Sequence, residues 1–215
     1  MQKKRILFIG DSITDCSRDK TNPADIGKGY VALLQPRIDG RCINRGISGN
    51  RVRDVQQRFA ETVAETQPDH ITVYVGINDV VHIFKRFIPQ TEEQFAAEYT
   101  ELLKSAKDTA RPLLVIAPFL LPATGLPQPE PWRPLPGEMY KKWRAALNSR
   151  LEVIREQCQS SGIPLLELDP LFHAAAQNQP PASLTLDGVH PTAAGHQLIA
   201  ETLLTCLAPI VKRGV

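Results

Sequence analysis

An α/β fold with a parallel sheet covered on both faces is what this sequence predicts, on three observations. Short runs rich in aliphatic and β-branched residues alternate with longer segments of helical period. The short runs are nearly continuous in apolar character, as strands buried on both faces require. The segments between them are long enough for helical crossovers, which join parallel strands with right-handed geometry.

The elements follow in order. Arg5–Gly10 reads as a buried strand, and Arg41–Asn44 as a second, weaker one. Val52, Val55, Phe59 and Val63 then recur at spacings of three and four, which puts them on one helix face. Ile71-Thr72-Val73-Tyr74-Val75-Gly76 is the clearest strand. Thr91-Glu92-Glu93-Gln94 fits a capping box, with Phe95, Tyr99, Leu102 and Ala106 continuing as an apolar stripe. Leu113–Ile116 is the fourth strand. A helix from about Glu138 to Gln159 carries Trp143, Leu147, Leu151 and Ile154, and Gly162 closes it. Ile163–Leu168 is the fifth strand. A last helix begins near Pro191–Thr192 and bears Ile199, Leu203 and Leu207.

One segment breaks this rhythm. Pro118 to Gly137 holds seven prolines and follows the fourth strand, so it is expected to overhang the carboxyl ends of the strands and face substrate. Ligands of open parallel sheets gather at that rim. Ser12 stands just past strand one, Gly46–Gly49 past strand two and Asn78 past strand three, so three polar loops are delivered to the same edge.

The bulk properties narrow the function classes. The 215 residues suit one domain spanning 1–215. With 42% hydrophobic and 22% charged residues the chain has the composition of a folded protein, not a disordered one. A net charge of +2 is too small to mark nucleic acid or an anionic membrane as the main partner. The apolar run after Lys3-Lys4-Arg5 is only Ile6 to Ile9, shorter than the ~7–15 residues of a signal core, and no stretch approaches the ~20 residues of a membrane span. The expected location is cytoplasmic. Cys16, Cys42, Cys158 and Cys206 form no C-x-x-C pair, so zinc fingers and thioredoxin-like sites are unsupported and free thiols are expected. Cys16 is close enough to Ser12 to line a pocket rim.

The chemistry resides in a few residues. A serine hydroxyl attacks only when a base removes its proton, and His190 is the natural base because imidazole titrates near neutrality. Asp187, three residues earlier, can accept the other ring N–H and hold the tautomer. Asp187 and Pro191 also read as ordinary helix-entry punctuation. Acyl transfer needs donors for the developing oxyanion. Asn44-Arg45-Gly46-Ile47-Ser48-Gly49-Asn50 can bring a bare backbone N–H to a ligand, and Gly76-Ile77-Asn78-Asp79 places an amide at a strand end. Each block alone is also an ordinary turn. Rival motifs are missing from the sequence: no G-x-S-x-G surrounds Ser12, and neither a dinucleotide nor a phosphate-loop glycine pattern is present. A metal-dependent phosphoryl transferase built on Asp11, Asp15 and Asp79 would leave His190 and Gly49 unexplained. His70, His82, His173 and His196 lack partners at ligand spacing and read as surface or packed residues, with His82 the one near enough to Asn78 to rim the pocket.

Gly10-Asp11-Ser12, Gly49 within Asn-Arg-Gly-Ile-Ser-Gly-Asn, Gly76-Ile77-Asn78-Asp79 and Asp187-Gly188-Val189-His190-Pro191 together resemble the SGNH hydrolases, also called GDSL-type esterases. The four blocks come in the family's order and span nearly the whole chain. The resemblance is strongest to small intracellular carbohydrate acetylesterases. It implies a flavodoxin-like three-layer sandwich around a five-stranded parallel sheet. It implies Ser12 as nucleophile, His190 as base and Asp187 as its partner, with the backbone N–H groups of Ser12 and Gly49 and the Asn78 side chain as oxyanion donors. No metal or organic cofactor is implied.

The leading expectation is therefore a serine esterase that removes short acyl groups, acetyl first, from a hydroxylated substrate such as an acetylated sugar or xylo-oligosaccharide. A thioesterase or lysophospholipase on the same site is the alternative, and a catalytically silent carbohydrate-binding protein is a third reading. Asp11, Asp79 and Trp132 are candidate substrate-binding residues, Trp132 because an indole in the Pro-rich loop can stack on a sugar face. Trp132 and the helix bearing Trp143 are also the candidate surfaces for a homo-oligomer.

Overall fold

The structure, a computed structural model, describes residues 3–122 and 137–207. Five strands form one all-parallel sheet: β1 (Lys4–Gly10), β2 (Gly40–Gly46), β3 (His70–Tyr74), β4 (Leu113–Ala117) and β5 (Leu165–Glu167). Their spatial order is β2-β1-β3-β4-β5, the flavodoxin-like order. Helices α1 (Ser12–Asp15), α2 (Tyr30–Leu34), α3 (Val52–Thr66), α4 (Ile77–Lys85), α5 (Glu92–Lys107), α6 (Gly137–Ser161), α7 (Leu168–Ala175), α8 (Pro181–Leu184) and α9 (Ala193–Leu207) complete the described chain. On one face α3 packs on α5 and α5 on α6, while α2 packs on α9 on the other.

The core is the double-sided burial that near-continuous apolar strands demand. Ile6, Leu7, Phe8 and Ile9 of β1 and Ile71, Val73 and Tyr74 of β3 are all buried. These long helices turn their expected stripes inward: Val52, Val55, Phe59 and Val63 on α3, Phe95, Tyr99, Leu102 and Ala106 on α5, and Ile199, Leu203 and Leu207 on α9. The capping box of α5 forms in both directions, with Gln94 N–H donating to Thr91 Oγ1 and Thr91 N–H to Gln94 Oε1.

Three departures from the sequence expectations have physical causes. The fifth strand shrinks to Leu165–Glu167. Ile163 N–H is bonded to Cys158 O in the cap of α6, and Pro164 has no N–H to give the ladder. The segment after β3 is not a bare turn but helix α4, whose Ile77, Val80, Val81 and Phe84 carry the i, i+3, i+4, i+7 pattern. Trp143 is 1% exposed and stacks on Phe84, with ring centroids 6.1 Å apart, so it belongs to the core and offers no surface for self-association.

Two sets of hydrogen bonds tie distant segments together near the rim. Arg144 forms a bidentate pair with Asp169 (2.7 and 2.9 Å), and both bond the backbone of Leu120. The next residue, Leu121, then donates its N–H to Gly188 O. The start of the Pro-rich segment is thereby tied to the turn that carries His190, while residues 123–136 lie outside the described residues. Among the described residues no helix is long and apolar enough to cross a membrane.

Candidate active site

The switch point of the sheet lies between β1 and β3, where crossovers leave in opposite directions and a crevice opens at the carboxyl ends of the strands. Ser12 opens α1 at the end of β1. Asp11 caps that turn, its Oδ1 accepting the N–H of Ile13 at 3.0 Å. The cap fixes where the serine hydroxyl points.

The histidine comes from the far end of the chain on a tight reversal. Leu186 N–H bonds His190 O, and Thr185 bridges Pro191 in antiparallel fashion. Inside it, Asp187 Oδ1 accepts the N–H groups of Val189 and His190, while Oδ2 lies 3.0 Å from His190 Nδ1. His190 Nε2 is 2.9 Å from Ser12 Oγ. Burial pushes the Asp187 carboxyl up, but the hydrogen bonds and charge of His190 and the two N–H groups outweigh it and hold the carboxyl below its ordinary value. It stays ionised beside an imidazole whose Nε2 faces the hydroxyl. The helix-entry and catalytic readings of Asp187 are thus compatible, since one oxygen shapes the turn and the other meets the ring.

The third wall is the loop between β2 and α3. Its Ile47 N–H bonds Gly10 O, and Ser48 gives both its N–H and its hydroxyl to Asp15 Oδ2, so the loop is tied to the turn carrying Ser12. Gly49 sits at φ +85°, a left-handed conformation that side-chain-bearing residues adopt at a cost. Asn78, in the first turn of α4, donates one amide hydrogen to Asn50 O at 3.0 Å and keeps the second. Among the described residues no protein acceptor is bonded to the N–H of Ser12 or of Gly49. The cleft in front of Ser12 and His190 measures about 440 Å³, with the polar side chains of Asp15, Arg18, Lys20 and Ser48 along it beside the apolar Ile13, Leu186 and Pro191.

Asp11 and Asp79, expected at the substrate, are buried and do not line the cleft. Asp11 is 0% and Asp79 1% exposed. Asp79 instead receives Val52 N–H at 3.1 Å and the Gln90 amide at 3.0 Å, which locks α4 to the start of α3. Desolvation raises the Asp11 carboxyl to about 6 and that of Asp79 to about 7. Both are structural clamps, a role that Gly-Asp-Ser and Asn-Asp on paper do not distinguish from ligand contact. Asp15 is likewise occupied, by Ser48 and Lys20, so the three aspartates are engaged separately. Trp132 lies outside the described residues. All four cysteines are free thiols.

Two residues beside the site were not legible as part of it. His196 lies in the cleft wall, its Nδ1 accepting Tyr30 N–H and its Nε2 3.3 Å from Cys16 Sγ. Burial, helped by the charge of His190, pulls it down to about 4, so it is neutral and its Nε2 carries the proton. Arg58, on α3, reaches back to Gly10 and Asn50. The i, i+3, i+4 pattern could have revealed the helix under Asn78, but no local signal marks Arg58 or His196.

A GDSL-like lipase/acylhydrolase family model matches residues 8–198. The chain belongs to that family. It is a carboxylic ester hydrolase of the SGNH type. An acetylxylan esterase of Geobacillus stearothermophilus is 30% identical over 94% of this chain and 92% of its own. The solved structure of Axe2, an acetylxylan esterase from that organism, superposes with a TM-score of 0.78 at 26% identity, covering 95% of this chain and 94% of Axe2. The α/β hydrolase LAE5, from the metagenome of Lake Arreo in Spain, gives 0.79 at 28% identity with the same coverage. Solved catalytic mutants of Axe2 replace a serine, an aspartate and a histidine.

Proposed function

We propose that this chain removes acetyl groups from a hydroxylated carbohydrate, an acetylated xylo-oligosaccharide being the leading substrate, through an acyl-enzyme on Ser12. The single observation that carries the reading is the relay in which Ser12 Oγ lies 2.9 Å from His190 Nε2 and His190 Nδ1 lies 3.0 Å from Asp187 Oδ2. In the reaction, Ser12 Oγ attacks the ester carbonyl and its proton passes to His190. Asp187 holds the imidazolium that forms. The N–H groups of Ser12 and Gly49 and the second amide hydrogen of Asn78 are the donors for the oxyanion. On collapse the sugar hydroxyl leaves with the proton from His190. Water, deprotonated by the same ring, then releases acetate and restores Ser12.

The acetylxylan esterases among the relatives support the substrate class. The cleft is compatible with it, because the charged and hydroxyl side chains of Arg18, Lys20 and Ser48 stand along it and can meet a hydroxylated acceptor. Soluble expression without a membrane partner is part of this reading.

Hydrolysis of acetylated xylo-oligosaccharides and of p-nitrophenyl esters of increasing length tests it. Activity is expected to peak at acetyl, and Ser12→Ala is expected to lose at least about 10³-fold in kcat with an unchanged circular dichroism spectrum. A peak at long chains with no activity on acetylated sugars would overturn the substrate class in favour of a lysophospholipase. Near-full turnover by the pure Ser12→Ala protein would overturn the mechanism.

A further inference from the structure

Arg58 stands on α3 with its guanidinium turned back under the oxyanion loop. Its Nε donates to Asn50 Oδ1 at 2.8 Å and its Nη2 to Gly10 O at 3.0 Å. Gly10 is two residues before Ser12, and Asn50 directly follows Gly49. The carbonyl of Asn50 in turn accepts the Asn78 amide. One side chain therefore bonds the backbone two residues before Ser12 and the side chain of the residue after Gly49 and, through Asn50, reaches the residue that supplies the third donor.

The energetics make this placement informative. Burial pulls the Arg58 guanidinium down to about 10, with the charge of Arg18 adding to the effect. Asp54, one turn earlier on α3, is engaged with the N–H and guanidinium of Arg51. Among the described residues no carboxylate lies within salt-bridge distance of Arg58. A half-buried cation given only neutral acceptors is a poor way to gain stability, because its desolvation is not offset by an opposite charge. It is a good way to set a distance, since the guanidinium is a planar fork with fixed donor directions. The sheet does not depend on it here, because Ile47 N–H already joins the loop to Gly10 O.

We propose that Arg58 is a positioning residue for ester hydrolysis, its guanidinium holding the Ser12 and Gly49 N–H groups, and Asn78 through Asn50, at the separation that receives the oxyanion. This rests on the serine-esterase reading above. It predicts a defect seen in the transition state and not in substrate binding. Small displacements of reacting groups cost far more in kcat than in ground-state affinity.

Arg58→Lys keeps the charge but reaches one acceptor at most, and Arg58→Met removes both bonds. With p-nitrophenyl acetate and an acetylated xylo-oligosaccharide, both variants are expected to lose about 10–100-fold in kcat while KM stays within about threefold. A boronic acid, which forms a tetrahedral adduct on the serine with an oxygen in the oxyanion pocket, is expected to lose affinity by the same factor as kcat/KM. The deacetylated oligosaccharide is expected to bind as in the wild type. Variants that melt earlier but keep kcat within about twofold per folded molecule would make Arg58 a merely structural residue and overturn the proposal. So would a loss carried by KM, or full activity in Arg58→Lys. A wild-type protein that neither hydrolyses esters nor is labelled at Ser12 by a fluorophosphonate would overturn the esterase reading, and this proposal with it.

Discussion

Asp187 divides its carboxylate between two tasks, which sets what its replacement does. Oδ1 holds the turn through the N–H groups of Val189 and His190, and Oδ2 holds the ring. In Asp187→Asn the amide oxygen can still accept the two N–H groups, so the turn survives. The amide nitrogen then faces His190 Nδ1 as a donor and favours the tautomer whose Nε2 carries a proton, the wrong one for a base. A fall in kcat of about 10²–10⁴-fold is expected, with little change in the unfolding midpoint. Steady-state kinetics alongside thermal melts checks this, and equal losses in both would assign Asp187 to the fold alone. On paper Asp187 and His190 were legible because three-residue spacing in a reversal is local. Arg58 was not, because its two partners are 48 and 8 residues away and nothing in the neighbouring sequence distinguishes it from a solvated helix face.

At the scale of elements, the end of β2 and the nucleophile turn α1 are in backbone contact, and Gly46 makes that contact feasible. A Cβ added at Gly46 would lie 2.1 Å from Asp15 N and 2.6 Å from Thr14 C, both backbone atoms that cannot step aside without moving Ser12. Gly46→Ala is expected to destabilise by about 1–3 kcal/mol and to lower kcat as well. Gly137, at the start of α6, is the control. A Cβ there meets nothing within 4 Å among the described residues, so Gly137→Ala is expected to be neutral or to gain up to about 1 kcal/mol of helix propensity. Urea unfolding of both variants decides the matter, and equal midpoints would show that β2 and α1 yield to one another. The strands and long helices could be read from periodicity, since each repeats its pattern over several turns or pairs. The short helices α1, α2 and α8 span four or five residues, too few for a period to show, and packing alone makes them helical.

For the molecule as a whole, buried titratable groups pull stability in opposite directions with pH. The raised Asp11 and Asp79 keep protons in the native state that the unfolded chain releases near 3.8, so their contribution is greatest below that value and is lost as pH rises towards about 6 and about 7. The depressed His196 acts the other way. Its contribution is complete above 6.5, where both states are neutral, and is lost as pH falls towards about 4 because only the unfolded chain takes up the proton. Asp79→Asn isolates one of these effects. The Gln90 amide can turn so that its Oε1, otherwise without a partner, accepts from the new amide. The melting temperature of Asp79→Asn relative to the wild type is therefore expected to rise steadily from pH 4 to pH 8. A difference independent of pH would mean that Asp79 titrates as an ordinary carboxylate.

The sequence by itself determined the α/β class, five strands, the long helices and the four polar blocks, because each is written in contiguous residues whose spacing or turn chemistry is local. It also determined the types of group available for catalysis, a hydroxyl, an imidazole and a carboxylate. Only the tertiary structure decided which polar groups face the cleft. It turned Asp11 and Asp79 inward as clamps, placed His196 in the wall and brought Arg58 beneath the oxyanion loop. The physical reason is that burial and hydrogen-bond partnership are set by elements that meet through the sheet, across separations that no local pattern records.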